Sequence, residues 1–257
     1  MTDTSLLRDG ERLDEVNFRI RLIQKPAGLT YGTDALLLAG YLRTKPTDRA
    51  AELGGGSGII SLLALARDKV ASVDCIEVQE EYADLIRRNA LLNHMDDRLH
   101  AIHADLRDVA QSGGERGGYD AVFSNPPYMT DTSGAGNTLP AKNAARHECH
   151  GGIFDFTAAA TRLLRYGGRF FCVFRPDRMA ELFDACTAAK LAPKRMTLVH
   201  PHPDAAPNLL LLEATAGGHS GMRLTRPLFI YREKGGCEYT EDMNCLFDCG
   251  KLPQASE

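Results

Sequence analysis

The stretch RAAELGGGSGII, residues 49–60, decides the fold of this chain. Its first five residues are a short apolar segment that predicts a β-strand, Arg49–Leu53. A run of three glycines follows at once, and the apolar positions after it predict a helix over residues 58–67. Glycine lets the backbone turn tightly and approach a ligand closely. A strand that passes through such a turn into a helix is typical of the ligand-binding edge of an α/β sheet.

Six further strands are predicted downstream of this turn. Helical stretches separate several of them, whereas only a short loop lies between the last two, at residues 194–200 and 209–214. Strands that alternate with helices form parallel sheets, and strands joined by a short loop pair antiparallel. The sequence therefore predicts an α/β fold with a seven-stranded, mainly parallel sheet, helices on both faces and an antiparallel last strand. The other strands are predicted at residues 72–78, 99–104, 119–125 and 169–174.

The composition is that of an ordinary globular protein. The chain has 257 residues, of which 44% are hydrophobic and 25% charged, and its formal net charge is −4. No apolar run reaches the roughly 18 residues that a membrane-spanning helix needs, and the N-terminus lacks the apolar core of a signal peptide. We therefore expect a cytoplasmic protein. We also expect a lead-in segment, residues 1–48, that packs on one catalytic domain, residues 49–257.

The seven cysteines favour neither a disulfide framework nor a metal site. Their number is odd, and Cys237, Cys245 and Cys249 lack the paired C-x-x-C spacing of zinc ligands. The run HECH at residues 147–150 places its histidines three positions apart, whereas zincin helices need four. We expect free thiols in a reducing compartment and no bound metal.

Acidic residues stand at the ends of the first three predicted strands of the sheet. Glu52 precedes the first glycine, Glu77 ends the second strand, and Asp105 follows the third. An acid at position 52 would repel a pyrophosphate but suits a cationic ligand, such as the sulfonium and amino groups of S-adenosylmethionine. A carboxylate at position 77 can accept hydrogen bonds from both ribose hydroxyls, and Asp105 with the Leu106 N–H could bind an adenine ring. A plain tight turn, a solvated acid and a helix N-cap remain the alternatives at these three positions.

The most specific motif, Ser124-Asn125-Pro126-Pro127-Tyr128, ends the fourth strand. Two consecutive prolines fix the backbone and remove two N–H donors, so that carbonyl acceptors remain beside the Asn125 side-chain oxygen. If Asn125 Oδ1 and the Pro126 carbonyl accept both hydrogens of a planar amino group, its nitrogen lone pair is directed at an electrophilic methyl group. Tyr128 offers a ring on which a flat base can stack. The motif predicts methylation of an amino group with Asn125, Pro126, Pro127 and Tyr128 as the catalytic set; the alternative is a strand terminator with a packed tyrosine.

These motifs resemble those of class I, Rossmann-like S-adenosylmethionine-dependent methyltransferases of the Asn-Pro-Pro-Tyr group, and within it the bacterial tRNA(Val) adenine-37 N6-methyltransferases. The segments YGTDALL at residues 31–37, ARHE at 145–148 and PLFIY at 227–231 extend the likeness. Glu52 and Gly55 stand where Asp and Thr-like residues are common in this family. The resemblance implies S-adenosylmethionine as cofactor and S-adenosylhomocysteine as product. It also implies a cofactor site built from Tyr31, Thr33, Glu52, Gly54, Gly56, Glu77, Val78, Asp105, Leu106 and Asn125.

The resemblance further implies RNA as the partner, namely tRNA, with an adenine of its anticodon loop as methyl acceptor. The stretch from residue 162 to 195 carries eight basic and three acidic residues, which favours a local RNA-binding surface on an acidic protein. Glutamine N5-methylation of a protein release factor uses the same four motif residues and is the main alternative. Only about fifty residues precede the first strand, which is short for that family's helical substrate domain.

Three other functional classes are disfavoured. A DNA adenine methyltransferase needs a target-recognition domain, for which the chain leaves no room. A nicotinamide oxidoreductase of the G-x-G-x-x-G type needs glycine at position 59, where Ile59 stands. A cofactor-binding module that has lost catalysis would not need an intact Asn-Pro-Pro-Tyr motif.

Overall fold

A computed structural model describes residues 3–16, 20–25, 32–108, 117–127 and 151–252 of the chain. Nine strands of these ranges form one central sheet, and two more form a hairpin. No helix in the described ranges is both long and apolar enough to cross a membrane.

The strands are β1 (Arg12–Val16), β2 (Ile20–Gln24), β3 (Arg49–Leu53), β4 (Ser72–Glu77), β5 (Leu99–His103), β6 (Tyr119–Ser124), β7 (Leu164–Phe174), β8 (Leu191–His200), β9 (Leu209–Ala216), β10 (Arg223–Leu224) and β11 (Leu228–Phe229). The helices are α1 (Thr33–Tyr41), α2 (Ile59–Ala66), α3 (Glu80–Leu92), α4 (Ile153–Leu163), α5 (Met179–Ala188) and α6 (Glu241–Cys249).

The strand order of the central sheet is β10-β8-β9-β7-β6-β3-β4-β5, with β11 also paired to β8. β3 to β7 pair in parallel, and β9 is inserted antiparallel between β7 and β8. The predicted α/β fold, with its mainly parallel sheet of seven long strands and its antiparallel last strand, is confirmed. The two-residue strands β10 and β11 were not predicted, because such short segments carry no periodic signal.

Helices cover both faces of the sheet, and alternate strand residues point into two separate cores. Ala50 and Phe123 belong to the core beneath α1, α2, α3 and α6, whereas Ala51 and Val122 belong to the core beneath α4 and α5. Because most of β3 and β6 is buried on both faces, apolar residues occupy neighbouring positions there, as at Ala50-Ala51 and Ala121-Val122-Phe123.

The largest differences from the predicted element boundaries lie around β7 and β8. The sequence predicts a helix up to residue 165 and a strand from 169, but α4 ends at Leu163 and β7 starts at Leu164. Leu164 pairs with Tyr119, and the register then shifts across the Gly167-Gly168 pair, where Gly167 has a φ of +77°. β8 likewise begins before its predicted start and includes Pro193, which the sheet tolerates because the register shifts immediately after it.

The N-terminal segment forms the antiparallel β1–β2 hairpin and contacts α3. The buried Asn89 side chain accepts from the Ile23 N–H at 2.7 Å and donates to the Ile23 carbonyl at 3.1 Å. Arg88 donates to Glu11 at 2.6 Å. These contacts agree with a lead-in that packs on the catalytic domain, but a boundary at residue 48 stays a prediction.

Candidate functional site

The carboxyl ends of four adjacent parallel strands, β6, β3, β4 and β5, form one edge of the sheet. Leu53 is in register with both Ser124 and Ile76, and Glu77 is in register with His103. The chain runs from β3 outward to β5 and then returns to the other side of β3 as β6, so the strand order reverses beside β3. Open α/β sheets bind ligands at such a switch point. With roughly 4.8 Å between neighbouring strands, the four strand ends span about 14 Å.

The glycine turn after β3 adopts a conformation that its sequence requires. Gly54, Gly56 and Gly58 have φ values of +72°, +55° and +79°, in the left-handed region that favours glycine. A Cβ at Gly56 would meet no described atom within 4 Å, so the space beside the turn can admit a ligand. A Cβ at Gly55 would lie 2.0 Å from Cys75 Sγ, which explains why this chain has glycine where a Thr-like residue is common.

Glu77 holds the turn from the neighbouring strand. Its Oε2 accepts a hydrogen bond from the Gly56 N–H at 3.0 Å, and its Oε1 accepts from the Gln79 N–H, also at 3.0 Å. The carboxylate therefore lies beside the open face of the glycine turn. Val78 follows directly, and its carbonyl accepts from His103 Nε2 at 3.1 Å.

Glu52 points away from this edge of the sheet toward the start of α2. Only 1% of the residue is exposed, and its Oε2 accepts from the Ser61 N–H at 3.2 Å and from the Ser61 hydroxyl. Burial raises the pKa of Glu52 to about 8, because water no longer solvates the charged form. A neutral carboxyl lends a cationic ligand little electrostatic help. The observed bonds join β3 to the first turns of α2, and a role for Glu52 in binding the cofactor stays a prediction.

Asp105 lies after β5 and pairs with Arg107. Its Oδ1 accepts from the Arg107 N–H at 2.9 Å, and its Oδ2 lies 2.5 Å from Arg107 Nη2. This bond and the charge of Asp105 raise the pKa of the exposed Arg107. The buried Leu106 begins the 3₁₀ segment Leu106–Asp108. An adenine amino group would have to share the Asp105 carboxylate with Arg107, a partner that the sequence analysis missed.

Asn125 leaves the end of β6 next to the glycine turn, and its amide has a defined orientation. Asn125 Nδ2 donates to Asp34 Oδ2 at 2.8 Å, and Asp34 lies in the first turn of α1. The preceding Ser124 hydroxyl donates to the Leu53 carbonyl at 2.9 Å, which ties the ends of β6 and β3 together. Pro126 is buried and Pro127 half-buried. The Asn-Pro-Pro segment thus faces the first turn of α1.

The structure brings most of the predicted site residues to one edge. Thr33 begins α1 beside Asp34 and is half-buried. Tyr31 and Tyr128 lie outside the described residues, as do the ARHE segment and the HECH run. In the described ranges, no group of three His, Cys, Asp or Glu residues is placed to hold a metal ion, and Cys75 and Cys172 are buried free thiols. Whether these residues bind cofactor and substrate stays a prediction.

Two residues at this edge of the sheet were not predicted from the sequence to contribute to the site. Asp34 was visible only as part of the YGTD segment, and no spacing rule links it to Asn125, 91 positions later. Phe156 of α4 lies under the turn, with its Cε1 3.4 Å from where a Gly54 Cβ would stand. Contacts between residues so distant in the sequence can be read only from the fold.

Most of the positive charge in the stretch from residue 162 to 195 is paired with acids. Of its eight basic residues, five form ion pairs at 2.6–3.0 Å: Arg165–Asp120, Arg169–Asp48, Arg175–Asp177, Arg178–Glu181 and Arg195–Glu213. Three of these acids lie outside the stretch itself. The RNA-binding surface expected there therefore has less unbalanced charge than the sequence suggests.

Comparisons with known proteins agree with this geometry. Residues 27–192 match the family model described as "Methyltransferase small domain". The tRNA1(Val) (adenine(37)-N6)-methyltransferase of Parabacteroides distasonis is 29% identical over 72% of this chain and 76% of its own length. The enzyme of the same name from Shewanella amazonensis is 28% identical over 85% of this chain and 90% of its own length.

A solved structure shares the fold. The structure of a predicted O-methyltransferase from Agrobacterium tumefaciens superimposes with a TM-score of 0.70, covering 85% of this chain and 97% of its own, at 23% identity. The strand order, the glycine turn at the switch point and the family match agree with one another. The chain belongs to the methyltransferase small domain family and is an S-adenosylmethionine-dependent methyltransferase.

Proposed function

We propose that this enzyme methylates N6 of an adenine in tRNA, adenine 37 of the anticodon loop. Relatives that match most of the chain are named tRNA1(Val) (adenine(37)-N6)-methyltransferases. The observation that carries the proposal is the Asp34–Asn125 hydrogen bond beside the glycine turn. It gives the asparagine of the Asn-Pro-Pro motif one fixed orientation at the switch point of the sheet. A tRNA substrate would place the enzyme in the cytoplasm.

The orientation of Asn125 suits an exocyclic amino group. Because the Nδ2 atom donates to Asp34, the Oδ1 atom points away from that carboxylate and serves as an acceptor. The Pro126 carbonyl is the second acceptor, and proline brings no N–H that would compete for it. Two acceptors hold both hydrogens of the amino group and draw them out of the plane of the base. The nitrogen lone pair then loses conjugation with the ring and becomes nucleophilic, with no ionised base needed at the start.

The residues along the edge fit S-adenosylmethionine. The space beside Gly56 is open, Glu77 lies next to it for the ribose hydroxyls, and the Leu106 N–H with Asp105 lies one strand further for the adenine. When bound, this cofactor supplies a methyl group on a positively charged sulfur. Gly54, Gly56, Glu77, Val78, Asp105 and Leu106 are the described residues that we assign to holding it, with Thr33 and Asn125 near the methyl end.

A flat base fits the motif better than a glutamine side chain does. Tyr128 directly follows Pro127 and would provide the stacking ring, which favours a base, although Tyr128 lies outside the described residues. An adenine in a stacked loop must be turned out of its stack to reach such a ring, at a cost of a few kcal/mol. The release-factor alternative has no comparable support among the named relatives.

The deciding experiment supplies labelled S-adenosylmethionine with bulk tRNA, with an unmodified tRNA(Val) transcript and with a release-factor protein. We expect label only in RNA, and N6-methyladenosine at position 37 on nucleoside mass spectrometry. A tRNA(Val) transcript with adenine 37 replaced by guanine is the matched control and should stay unlabelled. Label in a release-factor glutamine, or label in the guanine-37 transcript, would contradict the proposed substrate but leave the methyltransferase assignment intact.

A further inference from the structure

A second concave site lies at the opposite end of α1 from Asn125. It is a cavity of about 620 Å³ between the C-terminal ends of α1 and α2, the segment 42–46, and strands β8 and β10. Nine lysines and arginines line it, against two aspartates, Asp68 and Asp242. We call it the basic cavity. Asp34 and Tyr41 mark the two ends of α1, so at 1.5 Å per residue the basic cavity lies about 10 Å along the helix axis from the Asn125 contact.

A buried lysine stands on the wall of the basic cavity. Lys69 is only 7% exposed, and its Nζ donates to the carbonyls of Gly40 and Leu42, at 2.9 Å each. These two bonds satisfy carbonyls at the end of α1 but bring no negative charge. Burial, together with the nearby cations Arg67, Lys251 and Arg195, lowers the pKa of Lys69 to about 7. An anion in the cavity would relieve this repulsion.

Protein acids balance only part of the charge. Arg169, Arg195 and Arg226 pair with Asp48, Glu213 and Asp242 at 2.7–3.0 Å. By contrast, Lys45, Arg223 and Lys251 form no ion pair within the described ranges, and all three are exposed. The cavity thus has exposed cations without acid partners at its rim and a buried lysine on its wall.

Two hydroxyl groups of lining residues are buried beside the cavity. Tyr41 is 2% exposed and packs under the Arg195 guanidinium, whose carbon lies 3.7 Å from the ring centroid. The buried Tyr41 Oη and Thr44 Oγ1 atoms have no hydrogen-bond partner in the described part of the chain. A buried hydroxyl without a partner costs free energy, so native structures normally satisfy it with protein, water or ligand.

We propose that the basic cavity binds an anion that carries two or more phosphate groups. Several cations around one concave site match a ligand with several charges better than a single carboxylate. The planar guanidinium of Arg223 and the ammonium of Lys251 both bind phosphate oxygens well. A cavity of this volume is in the range of ordinary ligand sites.

Two sources can present such phosphates: the backbone of a nucleic acid, or a free nucleotide. The nucleic-acid source rests on the proposed function, whereas the phosphate site itself does not. A tRNA that occupies both sites has to span at least the roughly 10 Å that separate them along the axis of α1.

The test uses the full chain with tripolyphosphate as the probe, in titration calorimetry at low ionic strength. We expect the wild-type chain to bind tripolyphosphate saturably. The double variant Arg223→Ala/Lys251→Ala should bind it at least about tenfold more weakly, because each lost contact is charge-assisted. Arg223→Lys/Lys251→Arg keeps the charges and should keep most of the affinity. Arg87→Ala is the remote control, since α3 packs on β5 at the other end of the sheet from β10. Unchanged S-adenosylhomocysteine binding and unfolding temperature show that each variant is folded.

The source is then assigned by competition. If tripolyphosphate displaces bound tRNA and the double alanine variant binds tRNA more weakly, the phosphates come from the nucleic-acid backbone. If tRNA binding is unchanged in both measurements, the phosphates come from a free nucleotide. No tripolyphosphate binding to the wild-type chain, or equal binding to the double alanine variant, would overturn the proposal even if methyl transfer to tRNA proceeds as expected.

Discussion

Asp34 accepts a hydrogen bond from Asn125 Nδ2 at 2.8 Å and thereby fixes which way the Asn125 amide faces. An asparagine amide has similar shapes in its two orientations, so only its hydrogen-bond partners distinguish oxygen from nitrogen. Asp34 is itself held, because its Oδ1 accepts from the Ala35 N–H at 2.9 Å in the first turn of α1. We therefore assign Asn125 to contact with the substrate and Asp34 to positioning it.

Removal of the Asn125 amide should lower turnover while leaving the fold intact. We expect Asn125→Ala to reduce the single-turnover rate of methyl transfer by at least about 100-fold, as the loss of one oriented electrostatic partner does in other enzymes. S-adenosylhomocysteine affinity, measured by calorimetry, should change much less than the rate. A near-normal rate in this variant would remove Asn125 from the chemical step.

The positioning role of Asp34 predicts graded losses of turnover in two Asp34 variants. Asp34→Asn keeps an oxygen that can accept from Asn125 and should lower kcat by about tenfold or less, whereas Asp34→Ala should lower it by more. Because Asp34 acts through Asn125, its removal should add little to the loss already caused by Asn125→Ala in the double variant. Additive losses in the two variants would mean that Asp34 acts independently of Asn125.

Glu77 should be needed for cofactor affinity. Glu77→Ala removes the proposed acceptor for the ribose hydroxyls and the observed acceptor for the Gly56 N–H, so we expect S-adenosylmethionine binding to weaken by roughly 1.5–3 kcal/mol. Glu80→Ala, an exposed acid three residues later, controls for net charge near the same edge. Calorimetry that shows equal affinities for the wild type and Glu77→Ala would exclude Glu77 from the cofactor site.

Much of this architecture was predictable from local sequence. The glycine turn, the acid at the end of β4 and the Asn-Pro-Pro motif each follow an apolar strand, and parallel strands bring their carboxyl ends to one edge. The bounds of β3 agree with the sequence prediction, because a short apolar segment ending at glycine has few alternatives.

What the sequence could not supply were contacts between distant residues. The hydrogen bond between Ser61 of α2 and Glu52, nine positions earlier on β3, is one such contact, and the expected role of Glu52 toward a cationic ligand stays a prediction. The basic stretch from residue 162 to 195 was expected to face RNA, yet acids from other strands neutralise much of it. Charge counted along a sequence does not show which partners the fold will provide.

Two neighbouring glycines should respond differently to alanine. At Gly56 a Cβ meets open space, so Gly56→Ala should cost only about 1–2 kcal/mol of stability for the left-handed φ of +55°, while it obstructs the proposed cofactor space. At Gly55 the Cβ would collide with Cys75 Sγ, so Gly55→Ala should cost about 1–3 kcal/mol by overpacking.

Urea unfolding and cofactor titration separate these two effects. Gly56→Ala should lose more S-adenosylmethionine affinity than stability, and Cys75→Ala should restore part of the stability of Gly55→Ala but none of the affinity of Gly56→Ala. Wild-type affinity in Gly56→Ala would show that the ligand does not occupy the space beside this glycine.

Glu52 should make the stability of the protein depend on pH in a defined direction. In the folded chain its pKa is about 8, whereas a solvated glutamate has the ordinary value of 4.5. A raised carboxyl pKa means that the folded state holds the proton more tightly than the unfolded state. The stabilisation from this protonated carboxyl is therefore complete below about pH 4.5 and is lost as the pH rises toward 8.

Glu52→Gln keeps a neutral group of the same shape and abolishes this loss. From pH 5 to pH 8.5 the free energy of unfolding of the wild type should fall by on the order of 2–4 kcal/mol more than that of Glu52→Gln. Denaturant unfolding at several pH values measures the difference, and Glu80→Gln at an exposed position should follow the wild type. Parallel pH profiles for the wild type and Glu52→Gln would show that Glu52 is charged in the folded protein, which would return it to the candidates for binding the cationic end of the cofactor.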